Sequence, residues 1–268
     1  MYILIVGGGV MGRELAKELA GNDIVIIEKD IERSELSEHD IDGMLIKGDA
    51  TRMDILEQAG IDDSDVILAI TENDEVNLMI GMLGVRKGKK VIVRVNNPDR
   101  IKLFKQAGIE NAVTPERKAA RSIAVDIENM LKEGKPSHVL IIGGGTMGRE
   151  LANAISGPIV HIIEKDDLRC KKAIRETTRL VIQGDATQLD LLERAGIEQT
   201  DVVAAMTDSD EVNLLVATLA KQRGKKVIAR VKDAEHGRVF GALGIDNTVT
   251  PECRAANEIA KEILQHKK

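Results

Sequence analysis

One glycine-rich phrase occurs twice. Gly7-Gly8-Gly9-Val10-Met11-Gly12 follows the apolar run Ile3–Val6, and Gly143-Gly144-Gly145-Thr146-Met147-Gly148 follows Val139–Ile142, 136 residues further on. The same spacing carries Glu28 to Glu164, Asp49 to Asp185, Thr71 to Thr207, Arg94 to Arg230 and Pro115 to Pro251, with no insertion. A chain built this way is two copies of one unit, about 1–134 and 135–268, each of ordinary domain size. The joint, Lys132 to Ser137, is short and polar and contains Gly and Pro, as a linker does.

Within a copy, apolar runs alternate with helical periodicity. In the first, strands are expected at Ile3–Val6, Ile24–Ile27, Met44–Ile46, Val66–Ile70, Val91–Val95 and Ala112–Thr114. Helices are expected at Arg13–Ala20, Met53–Gln58, Glu75–Val85, Arg100–Ala107 and Arg117–Leu131, the third capped by Asn73 or Asp74. Continuous apolar strands suit a parallel sheet buried on both faces. The expectation is an α/β protein: two tandem Rossmann-like domains, each a doubly wound parallel sheet.

In that fold a G-x-G-x-x-G turn between the first strand and its helix cradles a pyrophosphate. The first Gly permits the turn, the second lets the backbone approach the phosphates, and the third lets the helix pack on the strand. The helix N-terminus adds free N–H groups and a positive dipole end. Glu28 and Glu164 end the second strand about 20 residues later, the spacing of a ribose ligand. A carboxylate there accepts from the ribose hydroxyls and repels a 2′-phosphate, which favours NAD(H) over NADP(H). It does not separate NAD from ATP or ADP.

Other candidates follow the remaining strands. Asp49-Ala50 and Asp185-Ala186 come after the third, where Asp49 either accepts from an adenine amino group or caps the next helix. Thr71 and Thr207 follow the fourth strand, where ligands of open α/β sheets bind, while Asp74 and Glu75 complement a helix start. Arg94 and Arg230, near the ends of buried strands, call for a phosphate or a carboxylate partner. Val76–Val85 is apolar nearly all round, so it either lies deep in the core or, as the pattern favours, packs against another domain. Phe104 and Phe240, the only two Phe, hold equivalent positions and read as core.

Other function classes find little here. The net charge of −6 argues against a nucleic-acid partner. One Tyr, two Phe and no Trp give no stacking platform for single strands. No apolar run approaches the roughly 20 residues of a membrane span, so a cytoplasmic protein without membrane insertion is expected. Cys170 and Cys253 have no metal spacing, and no metal site is expected. His39, His138, His161, His236 and His266 fall opposite Arg175, Tyr2, Val25, Arg100 and Met130, and neither Cys is shared by the copies. Without a repeated base or nucleophile, two nucleotide sites describe a sensor and not an enzyme. The rival is an NAD-dependent oxidoreductase acting on a small substrate.

GGGVMGRELA, IIEKD, KGDATRMDILEQAGI, AITENDEVNL, VIVRVNNP and AVTPERKAA, in this order in the first copy and with their counterparts in the second, resemble the RCK (TrkA N-terminal) domain family. The resemblance implies binding of NAD(H) or ATP/ADP and regulation of a membrane potassium transporter or channel through a change of shape. The tandem arrangement is similar to regulatory subunits of Trk-type potassium uptake, peripheral to the inner face of the cell membrane and assembled as a ring-like homo-oligomer. By motif it assigns nucleotide contact to Gly7 through Gly12, Glu28, Asp49, Ala50, Thr71, Glu72 and Arg94. The copies are Gly143 through Gly148, Glu164, Asp185, Ala186, Thr207, Asp208 and Arg230. The family's small second domain (RCK-C) has no counterpart between the copies or after the second, so ligand sites are expected on the Rossmann domains alone. Glu116 and Glu252 open the closing helices after Pro115 and Pro251.

Overall fold

In the computed structural model, residues 1–30, 43–131 and 137–265 are described. The linker residues 132–136, and His39 and His266, lie outside them.

Each repeat builds the strands expected of it. The first contains β1 (Tyr2–Val6), α1 (Val10–Glu18), β2 (Asp23–Glu28), β3 (Met44–Lys47), α2 (Met53–Gln58), β4 (Val66–Ala69), α3 (Asp74–Arg86), β5 (Lys90–Arg94), α4 (Ile101–Gln106), β6 (Ala112–Val113) and α5 (Pro115–Met130). The second contains β7 (His138–Ile142), α6 (Thr146–Ala154), β8 (Ile159–Glu164), α7 (Asp167–Glu176), β9 (Leu180–Gln183), α8 (Leu189–Arg194), β10 (Val202–Ala205), α9 (Asp210–Gln222), β11 (Lys226–Arg230), α10 (Ala234–Ala242), β12 (Thr248–Val249) and α11 (Pro251–Gln265). Helix α7 is not among the expected elements. Its signals are the Asp166 side chain, which accepts from Arg169 N–H, and the buried pair Cys170 and Ala173 at helical spacing.

The strands form two six-stranded parallel sheets, ordered β3-β2-β1-β4-β5-β6 and β9-β8-β7-β10-β11-β12. In the first, Ile3 pairs with both Ile24 and Val66. Ile3 and Ile5 enter one core and Leu4 and Val6 the other, because successive side chains point to opposite faces. The order reverses between β1 and β4, and between β7 and β10. Ligands of this fold enter at that crevice, beyond the carboxyl ends of the strands.

The compact units do not follow the repeat boundaries at 134 and 135. One comprises Met1–Pro115 with Glu252–Lys268, the other Glu116–Pro251. Each closing helix therefore belongs to the core of the other repeat. Ala119, Ile123 and Ile127 of α5 are buried with Val139, Ile141, Met147 and Leu151. Ala255, Ile259 and Ile263 of α11 are buried with Ile3, Ile5, Met11 and Leu15. The two sheets offer near-identical faces, so the Ala and Ile positions of either helix fit both.

Helix α3 has a sheet-facing side of small residues. A Cβ on Gly81 would stand 2.5 Å from Ile109 Cδ1, and one on Gly84 2.7 Å from Val91 Cγ2. Its outer side keeps Met79, Met82 and Val85 exposed at 38%, 49% and 39%. Phe104 and Phe240 are buried in the core. No helix among the described residues is long and apolar enough to cross a membrane.

Ile123→Ala should cost about 2–4 kcal/mol, the range for truncating a buried Ile. The account predicts faster amide hydrogen exchange in β7 and β10, the strands that Ile123 covers, with β1 and β4 unchanged. The opposite pattern would place α5 on its own repeat's sheet.

Candidate nucleotide-binding sites

The glycine loops have the shape that the motif requires. Gly7 and Gly143 adopt φ of +115° and +105°, open to glycine and strained for other residues. A Cβ on Gly12 would lie 2.0 Å from the Gly7 carbonyl oxygen, and one on Gly148 1.8 Å from that of Gly143. Only glycine lets α1 and α6 start against the strand this closely. Gly9 and Gly145 occupy the N-cap positions without a side-chain cap, so the first-turn N–H groups of both helices carry no capping side chain. At Gly145 the one heavy atom within 4 Å of a Cβ would be Arg169 Nη1, at 3.7 Å. This is the open approach a pyrophosphate needs. Met11 and Met147 point into the core, and Ala50 and Ala186 are buried, so these four offer a ligand little beyond backbone.

Glu28 and Glu164 are bound to the loops themselves. Glu28 Oε2 accepts from Gly8 N–H at 2.5 Å, and Oε1 from Lys29 and Asp30 N–H at 2.8 and 2.9 Å. Glu164 repeats this with Gly144 at 2.6 Å and Asp166 at 2.7 Å. A Cβ on Gly8 would meet Glu28 Cβ at 3.1 Å, and one on Gly144 would meet Glu164 Cβ at 3.0 Å. The second of the three consecutive glycines therefore makes room for the acid, a reason absent from the fingerprint.

Asp49 and Asp185 do not cap the next helix, since α2 and α8 begin after Arg52 and Gln188. Asp49 Oδ1 accepts from Thr51 N–H and Oγ1 at 2.9 and 2.7 Å, and Oδ2 from Lys29 Nζ at 2.8 Å. Asp185 takes Thr187 and Lys165 in the same way. The lysine bonds, followed by the threonine bonds, hold Asp49 far below the usual carboxylate range and Asp185 at about 2. Both are anions that close a turn. An adenine amino group would have to share the oxygen now facing an exposed lysine.

A residue without an assigned role in the sequence organises the strand ends. Asn77, fully buried, accepts from Thr71 N–H and Oγ1 at 2.9 and 2.7 Å and donates to the Thr71 and Arg94 carbonyls at 2.8 and 3.0 Å. Asn213 does the same for Thr207 and Arg230. The threonine hydroxyl is thus committed within the protein. Asn73 and Ser209 cap the helices. Asp74 accepts from Asn96 and Asn97 N–H at 2.7 and 3.1 Å, so it ties the loop after β5 as well as opening α3.

The arginines differ. Arg230 Nη1 meets Asp208 Oδ1 at 2.6 Å, while Asp208 Oδ2 accepts from Arg169 Nη1 at 2.8 Å. Burial disfavours the Asp208 charge, but the Arg169 hydrogen bond and both arginine charges outweigh it and lower its pKa. Arg94 Nη2 lies 3.9 Å from Glu252 Oε1, and its buried Nε has no partner. Exposed Glu72 occupies the position equivalent to Asp208.

In the second unit these groups meet around one cavity of about 810 Å³, within the usual range of small-molecule sites. Gly143, Gly145, Thr146, Met147, Glu164, Asp185, Ala186, Thr207, Asp208 and Arg230 line it, with Arg169, Lys165 and Lys172. Glu116, from α5, joins them. The lining contains no His or Cys. Among the described residues no group of three His, Cys, Asp or Glu could hold a metal ion. A helix start without a capping side chain, a glutamate bonded to the glycine loop and an arginine at the strand end have the composition expected of a nucleotide diphosphate site.

Residues 3–115 and 139–251 each match the TrkA-N domain. The Trk system potassium uptake protein TrkA homolog of Archaeoglobus fulgidus is 30% identical, covering 97% of this chain and 80% of that protein. Its alignment runs over 353 positions, more than this chain's 268 residues, so it carries segments without a counterpart here. TrkA of Vibrio alginolyticus is 23% identical, covering 94% of this chain and 77% of that protein. Among solved structures, GsuK bound to ADP aligns with a TM-score of 0.72 at 22% identity, over 100% of this chain and 70% of that one. The GsuK channel bound to NAD gives 0.72 at 18%, over 99% and 64%. At these identities the likeness is one of fold.

Asn213→Ala should destabilise the second unit by roughly 2–4 kcal/mol, since it strips several buried backbone and hydroxyl groups of their partner. Denaturant unfolding would measure it. A loss below about 0.5 kcal/mol, ordinary for surface changes, would contradict the clamp.

Proposed function

The chain belongs to the TrkA-N domain family, and from that premise we propose that it is a nucleotide-sensing regulatory subunit of Trk-type potassium uptake. The observation that carries this reading is the twice-built cradle, in which a glycine loop, a helix N-terminus and a loop-bonded glutamate converge at the switch point of each sheet. NAD(H) is the ligand we assign, through Gly7–Gly12 with Glu28 and Gly143–Gly148 with Glu164; ATP or ADP, with the same adenosine ribose, is the alternative. GsuK is known bound to ADP and bound to NAD, which supports this ligand class. Asp208 acts beside the phosphates through Arg169 and Arg230, and Glu72 holds the equivalent position in the first repeat.

The regulated partner in this reading is a membrane potassium transporter subunit, with the chain at its cytoplasmic face. Nucleotide biases two arrangements of the protein only by its difference in affinity for them. Self-association supplies the lever. Met79, Met82, Val85 and Leu103 in the first unit, and Leu215, Val239 and Leu243 in the second, are exposed apolar side chains. Such surfaces favour association into a closed homo-oligomer. Hydride chemistry would want a positioned general acid or base, and Glu164, Asp185 and Asp208 of the cavity are engaged by backbone, lysine and arginine, which supports a sensor over an oxidoreductase. Reconstitution with a Trk-type membrane subunit tests the regulatory role. Potassium flux should change on adding nucleotide, and flux indifferent to every adenine nucleotide would contradict it.

For ligand identity, NADH should bind more than about tenfold tighter than NADPH, equivalent to ~1.4 kcal/mol, because Glu28 and Glu164 repel a 2′-phosphate. Replacing both by Gln should weaken NADH and narrow the gap in calorimetric titrations. Equal affinities of the parent protein for the two would refute the assignment.

A further inference from the structure

The second phosphate loop is held by a residue that the glycine fingerprint does not contain. Arg149, on α6 directly after Gly148, is only 6% exposed although it is charged. A cation is costly to bury unless it is paired. Its Nε donates to Glu176 Oε2 at 2.8 Å, and its Nη1 to the Gly144 carbonyl oxygen at 2.8 Å. Glu176 ends α7, and its carboxylate offsets the charge of the arginine. Arg149 therefore adds little field to the cavity that it lines. What it adds is a direction.

Glycine gives up more backbone freedom on ordering than any other residue, and Gly143, Gly144 and Gly145 stand in a row. Nothing in the glycines themselves selects one orientation of the peptides between them. In the structure Gly144 is gripped on both sides. Its N–H donates to Glu164 at 2.6 Å, and its carbonyl accepts from Arg149. The peptide bond that follows is planar and trans, so the N–H of Gly145 points opposite to that carbonyl, away from the arginine. This N–H takes no partner among the described residues. Gly145 itself lines the cavity. In the first repeat Arg13 Nη1 reaches the Gly8 carbonyl at 3.5 Å.

We infer that Arg149 is a positioning residue of the second nucleotide site: its fork, anchored on Glu176, fixes the Gly144–Gly145 peptide so that the Gly145 N–H meets the diphosphate of an incoming nucleotide. The inference rests on the nucleotide reading above and deepens it. A loop set before binding loses no affinity to the ordering of its glycines. The task needs arginine. A lysine carries the same charge as a single point and has no planar fork to hold a carbonyl and a carboxylate together. Through Glu176 the loop is also tied to the C-terminal end of α7, so a movement of that helix end moves the phosphate contact.

Amide NMR of the full chain with isotope-labelled glycine, titrated with ADP, tests this, because the Gly145 resonance reports the second site alone. In the parent it should shift as ADP binds. Arg149→Gln should raise the ADP concentration at half-shift about tenfold, the scale of one charge-assisted hydrogen bond. Arg149→Lys should lose nearly as much. Glu176→Gln, at a position 44% exposed, should lose about threefold, the scale of a partly exposed ion pair. Parent affinity in Arg149→Lys would show that charge alone suffices and would overturn the inference. So would parent affinity in folded Arg149→Gln or, if that variant unfolds, in Glu176→Gln. ADP binding seen by calorimetry that leaves the parent's Gly145 amide unmoved would overturn the inference and leave the nucleotide reading standing. No ADP binding by the parent would overturn both.

Discussion

The contact between Gly12 and the carbonyl oxygen of Gly7, repeated by Gly148 and Gly143, is the constraint on which the site geometry depends. It leaves no room for a single methyl group. That closeness aims the start of α1 at the end of β1 and sets Gly9 at the helix mouth. It also brings Gly8 against the glutamate that ends β2. Three consecutive glycines are thus one per demand: a positive φ, space for an acid, and an open face for phosphate, with the fourth at the helix contact. A side chain at any of them changes a different part of the cradle.

A second tier of constraints aligns the strand ends with the loop. Buried Asn77 and Asn213 join the end of the fourth strand to the end of the fifth, so that the threonine and arginine carbonyls move together. Because these amides are fully used within the protein, they act on a ligand only through what they hold. The arginines at the same ends are where the repeats part company. Arg230 is neutralised by Asp208, and Arg94 keeps an unpaired nitrogen.

Most of the fold was legible because its signals are local. Apolar runs mark strands buried on both faces, and the glycine spacing marks the first βα turn whatever surrounds it. What stayed hidden depends on contacts between distant positions. Which sheet covers Ile123 or Ile259 cannot be read from their spacing, because both sheets present the same kind of face. Helix α7 opens with polar residues and buries only Cys170 and Ala173, so its periodicity is faint. Asp49 was open to a capping role because capping and turn-closing aspartates look alike before a helix. The Asp208 bridge between Arg169 and Arg230 joins three positions spread over 62 residues, and no spacing rule links them.

The central claim is that each repeat holds one nucleotide of its own. Calorimetric stoichiometry measures this directly. The account predicts two NADH per chain, and one per chain in either Gly9→Val or Gly145→Val, because a branched side chain would stand in the phosphate's approach while the fold persists. Full stoichiometry retained in both variants would contradict it.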